Sequence, residues 1–281
     1  MGRKVRIGII GCGGIANGKH MPALKKIEEA EMVAFCDIIE ERAVKAAKEF
    51  GAEGAKVYTD YRKLLEDESI ESVHVCTPNR SHSFITIDAL EAGKHVMCEK
   101  PMAKTYAEAK KMYETAQRTG KKLTIGYQQR WRPDSLYLKE ACDNGDLGDI
   151  YYGRAIALRR RAVPTWGVFL NEYEQGGGPL IDIGTHALDL TLWMMNNYKP
   201  KWSSAMSIRS SAIRSVPAMP GAIGIPHSTP SRIRLSASSP WRMALPSPSK
   251  RAGRSISPTP TRLLHISAAT RRARICAADF I

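Results

Sequence analysis

The chain has 281 residues and a formal net charge of +14. That length is enough for two modest domains with a real hydrophobic core. No apolar run reaches the length of a membrane span and no signal peptide precedes the first strand, so we predict neither membrane insertion nor export. The six cysteines are scattered without metal-binding spacing, which predicts reduced thiols, no metal site and a cytoplasmic protein.

Most of the positive charge lies in one segment. Residues 202–281 hold 12 Lys and Arg against a single acid, Asp279, whereas residues 1–201 hold 30 basic and 27 acidic residues. A polyanion-binding role would therefore rest on the C-terminal segment alone, which has few aromatic side chains for stacking on bases. We predict no specific nucleic-acid binding.

The first predicted elements form a strand, a glycine-rich turn and a helix. An apolar strand over 5–10 is followed by the turn Gly-Cys-Gly-Gly-Ile-Ala, and a helix is predicted from about Ile15. The turn fits the phosphate-binding pattern G-x-G-x-x-(G/A), in which the first glycine permits the tight turn and the second admits a pyrophosphate. The predicted cofactor-binding residues of this turn are Gly11, Gly13, Gly14, Ile15 and Ala16.

A second predicted strand ends in an acid that bears on the choice of cofactor. This residue is Asp37, 24 positions after Gly13. A carboxylate in this place accepts hydrogen bonds from both hydroxyls of the adenosine ribose and repels a 2′-phosphate. The sequence therefore favours NAD over NADP. A β–α–β unit that binds no ligand is the alternative.

Strands and helices continue to alternate after Asp37. Short apolar strands are predicted at 72–76, 95–99 and 122–127, with helical periodicity over 40–50, 81–92 and 105–119. This alternation predicts an α/β fold with an open, doubly wound parallel sheet.

Ligands of such sheets bind beyond the carboxyl ends of the strands. The residues predicted there are Thr77, Pro78, Asn79, His82, Glu99, Lys100 and Pro101. A lysine between Glu99 and Pro101 at this edge is a catalytic candidate. The peptide bond that follows it is one that can adopt the cis form, which would fix the direction of the lysine.

The stretch GGGPLIDIGTHALDL, residues 176–190, places two acids and a histidine on one face of a predicted helix. Asp182, His186 and Asp189 stand at i, i+4 and i+7. A capped helix start or a structural histidine would also explain this pattern. We interpret Asp189 as structural.

Six motifs together resemble the Gfo/Idh/MocA family of sugar and polyol oxidoreductases. They are the glycine turn at 11–16, TPNRSH at 77–82, EKP at 99–101, GYQQR at 126–130, GDLGDI at 145–150 and the stretch 176–190. The match covers residues 4–201. The resemblance implies an N-terminal Rossmann domain and a C-terminal α/β domain with a large, mostly antiparallel sheet that often mediates homo-oligomerisation.

The resemblance also implies roles for individual residues. Lys100, Asp182 and His186 match the catalytic positions of the family, and the positions lining the nicotinamide and its ribose are matched by Asn79, His82, Glu99 and Gln128. The chemistry fits, because an imidazole can accept a hydroxyl proton near neutral pH, a neighbouring carboxylate can orient it and a cation can stabilise an alkoxide.

Residues 157–169, ALRRRAVPTWGVF, precede the predicted catalytic helix. Arg159 and Arg161 would share one face of a strand, with Arg160 on the other. An edge strand protected by charge is one interpretation. A substrate surface is the other, in which the arginines contact a hydroxylated or acidic sugar and Trp166 stacks on its apolar face.

The segment after about Trp202 lacks the pattern of a protein core. Residues 202–281 contain 16 Ser and 9 Pro and show no hydrophobic period, which predicts an irregular basic tail. We interpret it as an out-of-frame segment. In the alternative frame Met219–Pro220 must encode Ala and Met243–Ala244 must encode Gly, both compatible with family-like sequence. Loss of the native sheet would expose an apolar face on the helix, with Ile183, Leu190 and Trp193.

The resulting organisation is a Rossmann domain over 1–127, the start of a substrate or oligomerisation domain over 128–201, and an aberrant tail over 202–281. The leading function is an NAD-dependent oxidoreductase acting on a secondary alcohol of a sugar or polyol. The alternatives are an NAD-dependent glycoside hydrolase of the same family, an NAD-binding sensor, and an inactive NAD-binding product of a frameshifted gene.

Overall fold

The computed structural model describes residues 2–157, 164, 167–200 and 203, together with two short strands, Leu263–Ser267 and Cys276–Ala278. The chain divides into two units. The first unit comprises Met1–Tyr127 with Trp166–Gly177, and the second comprises Gln128–Thr165 with Gly178–Ile281.

The first unit alternates strands and helices along the chain. Its strands are β1 (Val5–Ile10), β2 (Ala30–Cys36), β3 (Lys56–Tyr58), β4 (Ser72–Val75), β5 (His95–Cys98) and β6 (Leu123–Ile125). Its helices are α1 (Met21–Leu24), α2 (Glu40–Phe50), α3 (Tyr61–Leu65), α4 (His82–Glu91), α5 (Tyr106–Thr119) and, from the later segment, α7 (Glu172–Gln175).

The six strands form one sheet in the order β3-β2-β1-β4-β5-β6, and every neighbouring pair is parallel. This is the doubly wound Rossmann order, so the predicted fold class is confirmed. The chain reverses its direction of winding between β1 and β4, and ligands of such sheets bind at that switch point.

The strands at the centre of the sheet read as continuous apolar runs because both of their faces are covered. The last four residues of β1 and the last five of β2 are all buried. One cluster of buried side chains includes Ile10, Leu64 and Leu90, and a second includes Ile9 and Phe35. These two cores hold the carboxyl ends of the strands in place.

Helix boundaries follow local signals where the chain supplies them. The helix predicted over 40–50 is α2 with the same bounds. Helix α5 begins with a capping box between Thr105 and Glu108 and ends at Gly120, which has a positive φ of 65°. The helix predicted from about Ile15 differs, because its first part is a π-helical turn over Ala16–His20 and only Met21–Leu24 is α-helical.

The second unit contains α6 (Pro133–Asp143), β7 (Gly153–Ile156), α8 (Thr185–Met195), β8 (Leu263–Ser267) and β9 (Cys276–Ala278). Strand β8 pairs with β7 in parallel and with β9 in antiparallel orientation. Strands β8 and β9 lie in the segment predicted to be irregular, so this part of the tail does form secondary structure. The other residues of the predicted irregular tail fall outside the described ones, apart from Ser203.

Helix α8 corrects one expectation about exposure. Leu190 is not exposed: it is 5% exposed and packs in a cluster with Leu138 and Met194, and Trp193 is half-buried against the same cluster. Ile183 is also half-buried. The reason is that α6 of the same unit, for which we predicted no helix, covers this side of α8.

The segment before α8 corrects the predicted helical face. Leu180–Gly184 forms a π-helical turn, and the α-helix begins only at Thr185. Asp182 therefore lies in the π turn, whereas His186 and Asp189 lie in α8. Isolated π turns are rare and occur often at functional sites, and both such turns fall at motifs singled out from the sequence. Within the described part of the chain, no helix is long and apolar enough to cross a membrane.

Candidate cofactor and catalytic site

The three glycines of the turn after β1 have different surroundings. Gly11 has a φ of +92°, and a Cβ on it would lie 2.8 Å from the backbone carbon and oxygen of Cys76. Gly11 is therefore required by the fold itself. A Cβ on Gly13 or Gly14 would have no atom of the described residues within 4 Å, so packing within the described chain does not explain these two glycines. The open space at these two positions leaves room for a phosphate to approach the backbone.

A side chain that the sequence reasoning missed shapes this turn. The Asn17 amide donates to the carbonyl oxygens of Cys12 and Gly13 at 2.6 and 2.9 Å. These two hydrogen bonds tie the side chain of Asn17 to the backbone of the turn. The available signal was an asparagine in the first turn of a predicted helix, where it is a poor helix former. Of the predicted neighbours, Ala16 is fully buried and Ile15 is 41% exposed.

Asp37 follows β2 and is bound to the glycine turn. Its Oδ2 accepts the N–H of Cys12 at 2.9 Å and its Oδ1 accepts the N–H of Ile39 at 2.9 Å. The carboxylate is 8% exposed, and each of its oxygens has further lone-pair capacity. Asp37 therefore helps to shape the turn, which the sequence reasoning did not foresee, and can still accept from a ligand hydroxyl. Burial raises the pKa of the Cys12 thiol to about 12, so this thiol is protonated and unreactive.

The TPNRSH motif forms the turn after β4 and contacts a later segment of the same unit. Ser81 Oγ donates to Thr77 Oγ1 at 2.8 Å and to Pro78 O at 2.9 Å. Asn79 donates its side-chain amide to the carbonyl of Gln175 at 3.0 Å, and Arg80 Nε donates to Glu174 at 3.0 Å. The described contact of Asn79 is thus with the protein backbone.

His82 begins α4 and is 1% exposed. Its Nδ1 lies 2.8 Å from Pro101 O, and its Nε2 lies 2.8 Å from Thr77 O. Burial lowers the pKa of this imidazole, and the two carbonyls oppose that effect. His82 therefore links the turn after β4 to the turn after β5. A neutral imidazole has one N–H, so it donates to one of these two carbonyls and only lies close to the other.

The EKP motif follows β5, and the peptide bond between Lys100 and Pro101 is cis, as the sequence allowed. Glu99 Oε1 lies 2.8 Å from His20 Nε2, and Glu99 Oε2 accepts the N–H of Lys100 at 3.0 Å. Burial by itself raises the pKa of Glu99, but His20 and Lys100 more than offset it and the net pKa is lowered. Glu99 is therefore a buried carboxylate that is held ionised.

A second histidine extends this buried network. His74, on β4, places its Nδ1 3.0 Å from His20 Nδ1. Burial and the neighbouring His20 lower the pKa of His74 to about 4, so this imidazole is neutral at pH 7. Neither His20 nor His74 was predicted as a site residue, because a single histidine in an apolar stretch does not indicate what it contacts.

The second unit holds Asp182 and His186, both half-buried. One α-helical turn beyond His186, Asp189 accepts both Nε and a terminal nitrogen of Arg130, the former at 2.8 Å. The guanidinium of Arg130 also lies over the Trp193 ring, 5.6 Å from its centroid. This pair supports the interpretation of Asp189 as structural, and it attaches the GYQQR motif to α8.

The remaining predicted site residues are placed as follows. Gln128 opens a 3-10 helix over Gln128–Trp131 in the second unit and is exposed. Lys100 lies in the first unit, whereas Asp182 and His186 lie in the second. Arg159, Arg161 and Trp166 lie outside the described residues. Among the described residues, no group of three or more His, Cys, Asp or Glu side chains is arranged to hold a metal ion.

Three features define the class of protein: the strand order of the sheet, the open glycine turn after β1 and the acid after β2. The first unit is a dinucleotide-binding Rossmann unit, and a second α/β unit follows it. Comparison with known proteins makes this more specific. Residues 5–127 match the family described as an oxidoreductase family with an NAD-binding Rossmann fold, and residues 135–214 match the GFO/IDH/MocA C-terminal domain. The chain belongs to the GFO/IDH/MocA family.

The proteins similar to this chain include sugar and polyol dehydrogenases. The chain is 44% identical over 191 residues to D-glucoside 3-dehydrogenase of Escherichia coli K12, covering 68% of this chain and 54% of that protein. It is 30% identical over 211 residues to inositol 2-dehydrogenase of Salmonella typhimurium LT2, covering 72% and 60%. The chain therefore spans little more than half the length of these relatives.

A solved structure shares the fold. The aldose-aldose oxidoreductase from Caulobacter crescentus, determined in complex with glycerol, is 27% identical with a TM-score of 0.63. The similarity covers 74% of this chain and 62% of that one.

Proposed function

We propose that this protein is an NAD-dependent oxidoreductase that oxidises a secondary hydroxyl of a sugar, a polyol or a derivative. The observation that carries the proposal is the turn after β1, where a Cβ added to Gly13 or Gly14 would meet no described atom within 4 Å and Asp37 accepts the N–H of Cys12 in the turn. This is the arrangement that a dinucleotide pyrophosphate and its ribose require.

The residues present fit this cofactor. The backbone of Gly13, Gly14 and Ile15 would hold the pyrophosphate, and Asp37 would accept the ribose hydroxyls. A 2′-phosphate would meet a buried carboxylate, and the two residues that follow, Ile38 and Ile39, are uncharged. NAD is therefore preferred over NADP. When bound, the nicotinamide supplies the hydride acceptor.

The proton of the substrate hydroxyl requires a base from the protein. We assign this role to His186, because a neutral imidazole accepts a proton near neutral pH. Asp182 orients the imidazole or holds a substrate hydroxyl, and the Lys100 cation stabilises the alkoxide as the proton leaves. Support for these three roles comes from the matching positions of the family. Thr77, Pro78, Asn79, His82, Glu99 and Gln128 are proposed to border the nicotinamide half, and Arg159, Arg161 and Trp166 the substrate.

The named relatives suggest where to look for the substrate. The relative at 44% identity is a dehydrogenase of D-glucosides at position 3, and the one at 30% acts on inositol. We therefore place D-glucosides first and cyclic polyols second among the substrates. The buried free cysteines suit a reducing compartment such as the cytoplasm, and homo-oligomerisation is expected as in the family.

We also propose that residues 1–127 are the NAD domain, residues 128–201 begin the substrate domain, and residues 202–281 are out of frame. The boundary at 127 is supported by the end of the Rossmann family match. The C-terminal family match includes residues 202–214, and residues 215–281 fall outside both matches. Nucleotide sequencing across codons 195–210 tests the frame. A continuous frame there would refute this part of the proposal.

The function is tested by NADH absorbance with the full chain, NAD and a panel of D-glucosides, free sugars and inositols. We expect NADH to form with at least one of them. Lys100→Met and His186→Ala should each lower kcat by at least about 100-fold, as expected for loss of an acid–base or electrostatic group. Lys110→Met and His95→Ala, at positions away from the proposed site, serve as matched controls and should leave turnover unchanged.

Two results would contradict the proposal. Absence of NADH with every substrate, for a chain that binds NAD, would favour a sensor or an inactive gene product. Release of the aglycone from a glycoside without net NADH would favour the glycoside hydrolase of the same family.

A further inference from the structure

Both neighbours of Lys100 are held by buried histidines from other parts of the first unit. On one side, His20 at the end of the first π turn contacts the Glu99 carboxylate at 2.8 Å. On the other side, His82 at the start of α4 contacts the Pro101 carbonyl at 2.8 Å. The backbone of Lys100 thus lies between two fixed points that are set by distant residues.

The contact on the Glu99 side is rigid. The side chains of His20 and Glu99 are only 7% and 12% exposed. Glu99 is held ionised, so His20 Nε2 must be the donor in this contact. Gly126 leaves the space beside this carboxylate open, because a Cβ on it would lie only 3.1 Å from Glu99 Oε1. The second carboxylate oxygen of Glu99 accepts the N–H of Lys100, which transmits the position of His20 to the lysine backbone.

The contact on the Pro101 side is equally confined. His82 is 1% exposed, and its second ring nitrogen lies 2.8 Å from the carbonyl of Thr77, at the end of β4. The imidazole therefore sets the distance between the turn after β4 and the carbonyl that follows Lys100. A flexible four-carbon side chain can be aimed reproducibly only when its backbone is fixed in this way.

We propose that His20 and His82 are positioning residues for Lys100: His20 acts through Glu99, and His82 acts through Pro101. This inference rests on the proposed function, which assigns Lys100 to the proton transfer. Misplacement of a catalytic group by about 1 Å can lower a rate by on the order of 100-fold. Loss of either contact should therefore lower kcat by a larger factor than it raises KM for NAD.

Asparagine and glutamine at the two positions test the proposal. A glutamine amide reproduces the reach of Nε2, and an asparagine amide reproduces that of Nδ1. At position 20, where Nε2 makes the contact with Glu99, His20→Gln should stay within about 3-fold of wild-type kcat and His20→Asn should lose about 10-fold. At position 82, where Nδ1 contacts Pro101 and Nε2 contacts Thr77, the order should reverse: His82→Asn, which keeps the reach to Pro101, should lose less kcat than His82→Gln, which keeps the reach to Thr77 instead.

This reciprocal preference separates positioning from simple packing. If the histidines only filled space, the same amide would be preferred at both positions, or stability alone would change. His95→Asn is the matched control, because His95 lies at the opposite end of β5 and its Nδ1 accepts only the N–H of Lys122 among the described contacts. We expect this variant to match the wild type. Thermal unfolding of every variant checks that the proteins with asparagine or glutamine at these positions are folded.

A second readout does not depend on turnover. Reductive methylation with a 13C-labelled reagent gives each lysine an NMR signal, and Lys100→Arg identifies the signal of Lys100. That signal should shift or broaden more in His20→Asn and His82→Gln than in His20→Gln and His82→Asn, and it should stay unchanged in His95→Asn. An unchanged signal in all five variants, or the same amide preference at both positions, would overturn the inference. If the wild type forms no NADH, the proposed function fails while the Lys100 signal still decides this inference.

Discussion

The two units differ in how completely their own contacts hold the residues of interest. In the first unit, two clusters of buried side chains support the strand ends, and buried hydrogen bonds fix Asp37, His82 and Glu99. In the second unit, the described cluster that supports α8 contains three buried residues, Leu138, Leu190 and Met194. The described contacts of the first unit therefore support its strand ends with two large clusters, whereas the described cluster beside the helix with His186 is small.

The largest expected effect concerns the glycine turn of the first unit. Gly11→Ala should lower the free energy of unfolding by about 4 kcal/mol, because the new methyl group meets the Cys76 backbone at a positive φ. Gly13→Ala should change it by less than about 0.5 kcal/mol but weaken NAD binding by on the order of 10-fold, since its methyl group points to the phosphate path. Urea unfolding measures the free energy of unfolding, and titration calorimetry measures the affinity for NAD. Equal destabilisation by both substitutions would show that the turn is shaped by packing alone.

Substitution of one leucine in each unit compares how much the two hydrophobic clusters contribute to the free energy of unfolding. Leu90 is fully buried in the first unit and Leu190 is 5% exposed in the second. Leu90→Ala should cost about 4 kcal/mol and Leu190→Ala about 2 kcal/mol, because fewer atoms surround the smaller cluster. Differential scanning calorimetry should show that each substitution lowers a different unfolding transition. A single transition lowered equally by both would mean that the two cores unfold as one.

The pH dependence of stability should reveal the buried network of the first unit. His74 has a pKa lowered from 6.5 to about 4 in the fold, so the unfolded chain takes up a proton that the folded chain excludes. The contribution of the neutral His74 to the free energy of unfolding is complete above pH 6.5 and is lost as the pH falls toward 4. Between pH 7 and pH 5 the loss should be about 2 kcal/mol.

His74→Asn is the control for that measurement. Its amide can still hydrogen-bond His20, but it does not titrate. The difference between the two proteins isolates His74 from His20 and Glu99, which face it in the same network. Parallel pH profiles for wild type and His74→Asn would contradict the assignment.

The smallest expected effect lies in the second unit. Asp189→Asn should cost about 1 kcal/mol, because Arg130 loses a charged partner but both side chains keep some access to solvent. The more exposed pair Arg132–Asp134 provides the control, and Asp134→Asn should cost no more than about half as much. Chemical denaturation of both variants checks this order. A reversed order would mean that the Arg130 pair does not support α8.

The sequence predicted much of the first unit because its signals are local. The glycine turn, the apolar strands and the helix over 40–50 depend on periodicity and on residues close together in the chain. Predictions that needed contacts across the fold were incomplete. The prediction that Leu190 is exposed was wrong because α6 covers this side chain, and α6 has only a weak hydrophobic period in the sequence. The two π turns also have no periodic signal of their own, so both segments were predicted as ordinary helices.

The candidate site divides in the same way. Lys100, Glu99 and Asp37 were proposed as site residues from their places after predicted strands, because a parallel sheet brings its carboxyl ends to one edge. Asn17, His20 and His74 were missed because their roles come from single contacts: Asn17 with the turn carbonyls, His20 with a carboxylate 79 positions away, and His74 with His20.

The sequence by itself determined the class of fold, the cofactor-binding turn and the membership of an oxidoreductase family, because these rest on spacing and chemical type. Only the tertiary structure decided how Lys100 is held. Burial converts His20, His82 and Glu99 from isolated polar residues into obligatory hydrogen-bonding partners, since a buried polar group without a partner costs free energy. Which partner each one finds depends on the packing of β4, β5 and α4, and no local pattern encodes it.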